Sequence, residues 1–297
     1  MPYDIVIGRD ESDKKRFGKN GLIFLGKSYV RMGQYISLSN NIYMDVARSH
    51  VVLVSGKRGS GKSYSLSVIA EELALLPSEE KSNIAGLIFD TMGVFWTMKY
   101  RNEKEVELLE EWSLKPQNLP VEIFVPFGFF DSYFHRGLPI DRNFALNPAD
   151  LEVEDWIITF GLEITDPLAI LIERVIADLK EERESFDIEE IIEAIKEDDK
   201  TSSEMKNSAI GLFQAAESWK VFSVENSTRI SELIQAGKIS VLDLSMYSSV
   251  GAFNVRALVL SLVCKKLFNE RMLSRKKEEL QAVQHGIDYL AFKQKRE

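Results

Sequence analysis

The stretch VVLVSGKRGSGKS, residues 51–63, decides the fold of this chain. Residues 51–55 form a continuous apolar run, which is typical of a strand buried on both faces of a sheet. A glycine-rich turn follows, and leucine and isoleucine then recur at helical spacing through residues 62–76, with Pro77 directly after them. A strand, a glycine-rich turn and a helix in this order predict the first unit of a parallel α/β sheet.

The turn matches the pattern G-x-x-x-x-G-K-[ST] without departures. Its glycines let successive backbone N–H groups point at phosphate oxygens, and the N-terminus of the following helix adds a partial positive charge. Lys62 is expected to reach the β- and γ-phosphates, and the Ser63 hydroxyl is expected to bind Mg²⁺. The sequence therefore predicts a P-loop for ATP or ADP with Mg²⁺. Its expected contacts are Gly56, Lys57, Arg58, Gly59, Ser60, Gly61, Lys62, Ser63 and Tyr64.

Further along the chain, strands and helices alternate. The apolar runs at residues 85–90, 121–125 and 239–243 predict buried strands. A helical stretch lies around residues 103–112, and a long helix is predicted over Asn254–Leu273. This alternation favours a parallel α/β core of the P-loop kind.

Two segments depart from that pattern. Residues 1–50 alternate short apolar runs with glycine and asparagine, which predicts a small β-rich N-terminal segment. From Asn147 the pattern is helical, with predicted helices at residues 168–182, 188–196 and 203–219, the second of them with Asp187 as N-cap. We therefore expect four parts: a β-rich segment at 1–50, the first part of the core at 51–148, a helical insertion at 149–236, and the remaining core strand and long helix at 237–297.

Hydrolysis of a bound nucleotide requires a strand-end Asp to hold Mg²⁺ and usually an adjacent acid to orient water. Two predicted strands end in an acid, at Asp90 and Asp243, but Thr91 and Leu244 follow them. On spacing alone either Asp could hold the metal, or each could simply cap a buried strand. The sequence predicts binding without identifying a catalytic residue.

Composition limits the classes of function. The chain has 297 residues, a net charge of −9 and one cysteine, Cys264, which excludes an internal disulfide and a cysteine-based zinc site. It has no signal peptide and no apolar run long enough for a bilayer, so we expect a soluble cytoplasmic protein. The acidic balance argues against a nucleic-acid-binding surface over the whole molecule. Residues 265–297 hold nine Lys and Arg against five acids, which is typical of a solvated helix face, and a local basic track for nucleic acid is the alternative.

The histidines and one aromatic cluster carry weaker indications. His135 and His285 are expected at the surface or at helix ends, whereas His50, just before the first predicted strand, is expected near the nucleotide. Packing or a subunit contact is the favoured interpretation of the aromatic patch, and base stacking is the alternative. The patch comprises Phe124, Phe127, Phe129, Phe130, Tyr133 and Phe134.

Together these residues resemble the HerA/FtsK group of P-loop ATPases, and specifically the HerA-like DNA translocases of archaea. Residues 50–63 resemble the opening motif of that group, and Ile88-Phe89-Asp90 with Gly93 resembles its second-strand signature. The insertion is similar at residues 147–156 and 186–192, and residues 238–244 resemble the later core strand.

The resemblance implies a RecA-like motor that forms a hexameric ring around duplex DNA, binds it without sequence preference, and works with a NurA-type nuclease in DNA end resection. It also implies that Asp90 occupies an acidic position near the metal and that Arg48 approaches the nucleotide. The family's Walker B strand, which ends in Asp-Glu, should follow the long helix, and no such strand precedes Glu297. We therefore expect a shortened motor that hydrolyses ATP weakly or not at all on its own.

Two other functions remain open from the sequence. The missing Asp-Glu pair is compatible with a non-hydrolysing regulatory module that binds nucleotide as a structural or switching ligand. A P-loop kinase or transferase, with the helical insertion as a lid, is less favoured, because the insertion lacks the clustered arginines that would clamp a transferred phosphoryl group.

Overall fold

The computed structural model describes residues 3–33, 35–248 and 253–294, without the side chains of residues 30, 32, 35–37, 253, 282 and 285–294. Contacts divide the chain into two units. The first consists of Met1–Phe144 with Ser231–Met246, and the second of Ala145–Ile230 with Tyr247–Glu297. The two units are described separately.

The first unit begins with a small sheet, as the alternating N-terminal sequence predicts. Strands β2 and β3 pair antiparallel, and β1 adds to β3 in parallel, giving the order β1-β3-β2. The elements are β1 (Ile5–Ile7), α1 (Glu11–Phe17), β2 (Leu22–Met32) and β3 (Tyr35–Asp45).

A second sheet forms the core of the first unit. Its order is β4-β7-β5-β6 and every pair is parallel, so the predicted α/β class is confirmed. The strands are β4 (Gly86–Asp90), β5 (Val121–Pro126), β6 (Arg142–Phe144) and β7 (Ile239–Asp243). The helices are α2 (Lys62–Leu75), α3 (Ser78–Lys81), α4 (Val106–Glu111) and α5 (Phe130–His135), with a 3-10 helix at Phe95–Lys99.

The prediction of a buried strand at residues 51–55 is wrong. The segment belongs to neither sheet, and the side chains of Val51 and Leu53 are 102% and 88% exposed. An apolar run becomes a buried strand only when a neighbouring strand pairs with its backbone. The backbone pairing of β4 in the described residues is all with β7, and residues 51–55 pair with no strand there.

Helix α2 packs against both sheets of the first unit. Ala70 and Ala74 face the parallel sheet, in a cluster with Val121 and Val241. Ile69 and Leu76 belong to a second cluster on the N-terminal sheet, with Ile23 and Met44 as members. Burial on these two faces fixes the helix, and with it the loop that precedes it.

The second unit is helical, and its predicted helices are confirmed. Asp187 caps α8, where its side chain accepts a hydrogen bond from the Glu190 N–H at 2.9 Å. Trp156 is fully buried beside Phe213 and Phe222. The helices are α6 (Val153–Phe160), α7 (Pro167–Glu182), α8 (Ile188–Glu197), α9 (Ser203–Ser218) and α11 (Phe253–Gln294), with α10 (Ile230–Leu233) at the boundary of the units.

Candidate nucleotide-binding site

The predicted P-loop forms a tight turn that opens directly into α2. Gly61 is the N-cap of the helix with a φ of 86°, a left-handed conformation that glycine adopts without strain. A Cβ atom on Gly56 would lie 2.4 Å from the Ser60 hydroxyl oxygen, so a larger residue there would force the Ser60 side chain to move. The geometry leaves the backbone N–H groups at the start of α2 without helical partners, which makes an anion site.

Lys62 folds back over this loop. Its Nζ donates hydrogen bonds to the carbonyl oxygens of Gly56, at 2.9 Å, and Lys57, at 2.8 Å. The ammonium group therefore lies against the inside of the turn, where the motif requires a cation for phosphate. Contact of Lys62 with the β- and γ-phosphates stays a prediction.

The charge around the loop is positive. Lys57, Arg58 and Lys62 lie within eight residues that contain no acid, and the first turn of α2 has none either. Ser63 is exposed at the start of α2, so its hydroxyl is accessible. The loop thus fits a polyphosphate, with Ser63 as the hydroxyl ligand available to a magnesium ion.

Asp90, the predicted strand-end acid, is engaged by its own loop. Its two carboxylate oxygens accept hydrogen bonds from four backbone N–H groups, those of residues 92–95, at 2.6–3.0 Å. These bonds shape the turn after β4, in which Gly93 has a φ of 67°. The carboxylate is therefore a loop cap in this structure, and a role in holding Mg²⁺ stays a prediction.

Asp243 lies beside Asp90, because β4 and β7 pair in register at these two residues. The Ser245 N–H donates to the Asp243 carboxylate at 2.8 Å. Burial raises the pKa of Asp243, hydrogen bonds from Ser245 oppose the rise, and the charge of Asp90 adds to it. Burial and the charge of Asp243 likewise raise the pKa of Tyr133, whose side chain hydrogen-bonds to Ser245.

The sequence did not predict this cluster of Asp243, Ser245 and Tyr133. Tyr133 stood among the aromatic residues of a packing patch, and Ser245 carried no assigned role. The available signal was the pattern Asp-Leu-Ser directly after a buried strand, since the carboxyl ends of parallel strands meet at one edge of a sheet. In such sheets that edge is where ligands bind.

Two residues expected near the nucleotide pair with the N-terminal elements. Arg48 forms an ion pair with Asp13 at 2.8 Å, and its guanidinium lies 5.2 Å from the centre of the Phe17 ring. His50 Nε2 lies 3.0 Å from an Asp45 carboxylate oxygen. A contact of Arg48 or His50 with nucleotide remains a prediction.

The other histidines and the basic track lie elsewhere. His135 ends α5 in an exposed position, as predicted, while the side chain of His285 lies outside the described residues. In the track, Lys265 pairs with Asp155 at 3.2 Å, and Lys266 pairs with Asp150. The side chains of residues 293, 295 and 296 are outside the description.

No group of three or more His, Cys, Asp and Glu side chains in residues 3–33, 35–248 and 253–294 is arranged to hold a metal ion. Within the same ranges, no helix combines the length and the apolar character that crossing a bilayer requires.

Comparison with known proteins gave one family. No curated protein matches the chain significantly. A protein-family model, described as the central domain of helicase HerA, matches residues 30–267, which is well over half of the chain. The match includes the P-loop, α2, the parallel sheet, the helical insertion and the first part of α11. The chain therefore belongs to the HerA central-domain family of P-loop ATPases.

Proposed function

We propose that this protein is the ATP-binding motor domain of a HerA-type DNA translocase or helicase that acts in DNA processing or end resection. The observation that carries the proposal is the closed loop at the start of α2, with the Lys62 ammonium inside it, in a chain of the HerA family. Lys62 neutralises the terminal phosphates, and the N–H groups at the start of α2 bind their oxygens.

The Ser63 hydroxyl and the Tyr64 backbone complete the proposed phosphate site. Mg²⁺, when bound with the nucleotide, neutralises charge on the β- and γ-phosphate oxygens. Ser63 is placed to contribute a hydroxyl ligand to it, since its side chain is exposed at the first turn of α2. No acid near the loop in sequence competes with the nucleotide for these positive groups.

The partners belong to the same proposal. By family resemblance the complete motor is a hexameric ring that binds duplex DNA without sequence preference and cooperates with a NurA-type nuclease. The net charge of −9 confines DNA contacts to local groups of Lys and Arg. Lys265 and Lys266 are paired with acids, so these two lysines are poor candidates for the contacts.

A second candidate is a nucleotide-binding module that does not hydrolyse ATP. It is favoured by one observation: the carboxylate of Asp90 is taken up by four backbone N–H groups. In this alternative the loop binds ATP or ADP as a structural or switching ligand. The function is then the change of the protein between its nucleotide-bound and nucleotide-free states.

Calorimetry of ATP and ADP binding with Mg²⁺ tests the P-loop assignment. Lys62→Ala removes a charge-assisted hydrogen bond to phosphate, for which we expect a loss of about 1.5–3 kcal/mol, or roughly 10- to 150-fold in affinity. Lys277→Ala, which removes an exposed lysine on α11, is the control for net charge and should bind like the wild type. Equal binding by the wild type and Lys62→Ala would contradict the assignment.

A further inference from the structure

One face of α2 lies outside the two apolar clusters. Tyr64, Ser67, Val68 and Glu71 recur at helical spacing on this face, away from the two apolar clusters. They line a cavity of about 430 Å³ together with residues 96–98, 100–104, 109, 115–117 and 119. The volume lies within the range of ligand sites. The face starts at Tyr64, which directly follows Ser63 of the phosphate loop in the sequence.

Aromatic side chains from two segments border this cavity. Trp96 and Tyr100 come from the turn after β4, where their rings meet edge to face with centroids 6.1 Å apart. Tyr64 comes from α2, and all three side chains are exposed. Exposed flat rings beside a cavity provide surfaces on which a planar base stacks.

Glu71 adds a polar group deeper along the helix. Its carboxylate is about half buried, and it makes no hydrogen bond or ion pair with any residue that the structure describes. Burial raises its pKa, which reflects a charge with incomplete solvation. An ionised carboxylate only accepts hydrogen bonds, so a ligand N–H group would complement Glu71.

The length of this part of α2 fits a nucleotide that starts at the loop. Glu71 follows Ser63 by eight residues, which is about 12 Å along the axis of α2 at 1.5 Å per residue. A ligand with phosphates at the N-terminus of α2 and a nucleoside along the face of Tyr64 and Val68 spans this length. The Gln117 side chain also lines the cavity and offers both a donor and an acceptor to the base edge.

We propose that this cavity binds the adenine base of the nucleotide, with the Glu71 carboxylate accepting a hydrogen bond from the 6-amino group and the rings of Tyr64, Trp96 and Tyr100 enclosing the base. The proposal rests on the proposed function, since the P-loop must hold the phosphates. It adds the position of the base and a residue that selects for an amino group.

Comparison of ADP with inosine diphosphate tests the role of Glu71. The inosine base carries a carbonyl in place of the 6-amino group, so the carboxylate faces an acceptor, and we expect at least about tenfold weaker binding than for ADP. Glu71→Gln should bring the two affinities together, because an amide offers both a donor and an acceptor. Glu79→Gln, which removes an exposed carboxylate on α3, is the matched control and should keep the wild-type preference.

Tryptophan fluorescence gives an independent readout. ADP should change the emission of Trp96, whereas inorganic tripolyphosphate, which has no base, should leave it unchanged. Trp96→Phe should lose the ADP signal. Trp112, Trp156 and Trp219 remain in this variant, so its emission gives the background from the other tryptophans.

The outcomes separate this proposal from the proposed function. Because tripolyphosphate has no base, its affinity measures binding at the phosphate loop alone. Equal tripolyphosphate affinities for Lys62→Ala and the wild type would overturn the P-loop assignment. Lys62-dependent binding combined with equal ADP and inosine diphosphate affinities in the wild type would overturn the base site and leave the loop intact. A change of oligomeric state in Trp96→Phe, without a change in base preference, would assign the cavity to a subunit contact and also overturn the proposal.

Discussion

Arg9 and Asp45 form an ion pair whose side chains are both fully buried. The Arg9 guanidinium also donates to the carbonyl oxygens of Gly18 and Asn20, at 2.8 and 2.7 Å, so it joins β3 to the turn after α1. His50 approaches the second carboxylate oxygen of Asp45. Asp45 thus neutralises the buried Arg9 guanidinium, and through His50 it also contacts the segment that leads to the P-loop.

Removing Asp45 should destabilise the protein strongly. Asp45→Ala leaves the Arg9 charge buried and without its partner, for which we expect a loss of about 3–5 kcal/mol in the free energy of unfolding. Glu278→Ala is the control, because it breaks an ion pair with Arg271 in which both side chains are exposed, and should cost about 1 kcal/mol or less. Urea unfolding measures both; equal losses would show that burial of the Arg9 pair is not decisive.

Glu71 should make stability depend on pH. Its folded pKa is raised by burial, so its favourable contribution is complete below the unfolded pKa and is lost as the pH rises through the folded value. Glu71→Gln removes the charge, so we expect a higher thermal midpoint than the wild type at pH 7 and no difference below about pH 4. Glu79→Gln is again the control. A gain that persisted at low pH would point to packing instead of charge.

At the scale of elements, mutation can test whether the apolar segment at residues 51–55 is an exposed loop or a buried strand. Because Val51 and Leu53 are exposed, the double substitution Val51→Thr, Leu53→Thr should change the free energy of unfolding by no more than about 0.5 kcal/mol. Ile239→Ala, in the buried strand β7, should cost about 2–5 kcal/mol. Chemical unfolding compares them, and a cost in the double variant similar to that of Ile239→Ala would place the segment in a sheet.

The elements show which features a sequence can predict. The helix at α8 was predictable together with its cap, because Asp187 and the apolar spacing after it act locally. The phosphate loop was predictable because the motif itself specifies backbone geometry. The absence of strand pairing at residues 51–55 was not predictable, because pairing depends on strands that are distant in sequence. The partial burial of Glu71 was not predictable either, because it depends on segments that come together only in the folded protein.

At the scale of the whole molecule, the chain should hydrolyse ATP poorly by itself. No strand in the described parts of the chain ends in Asp-Glu, and the Asp90 carboxylate is occupied by backbone N–H groups. An arginine from a neighbouring subunit is commonly worth 10³–10⁵ in rate, so an isolated chain lacks that contribution as well. We expect turnover well below about 1 s⁻¹.

Steady-state release of phosphate measures this turnover, with and without duplex DNA and with Lys62→Ala as the background. Turnover near or above about 1 s⁻¹ would show that Asp90 or Asp243 supports hydrolysis without an adjacent acid.

Binding to DNA should be electrostatic and independent of sequence. With a net charge of −9, the protein can hold duplex DNA only through local Lys and Arg, so affinity should fall linearly with salt concentration on a log–log plot. Fluorescence anisotropy with two duplexes of equal length and unrelated sequence measures both properties. A flat salt response, or a preference that survives exchange of the flanking bases, would argue against a translocase.

The position of Lys62 also governs how fast a ligand enters. The ammonium group is held by two carbonyl oxygens, at Gly56 and Lys57, and these compete with an incoming anion for the lysine. Both bonds must break before the side chain turns towards phosphate, so association includes a gating step within the protein. In stopped-flow mixing with tripolyphosphate, we therefore expect the observed association rate to level off at high ligand concentration. The limiting rate is the rate at which Lys62 breaks its hydrogen bonds to the two carbonyl oxygens.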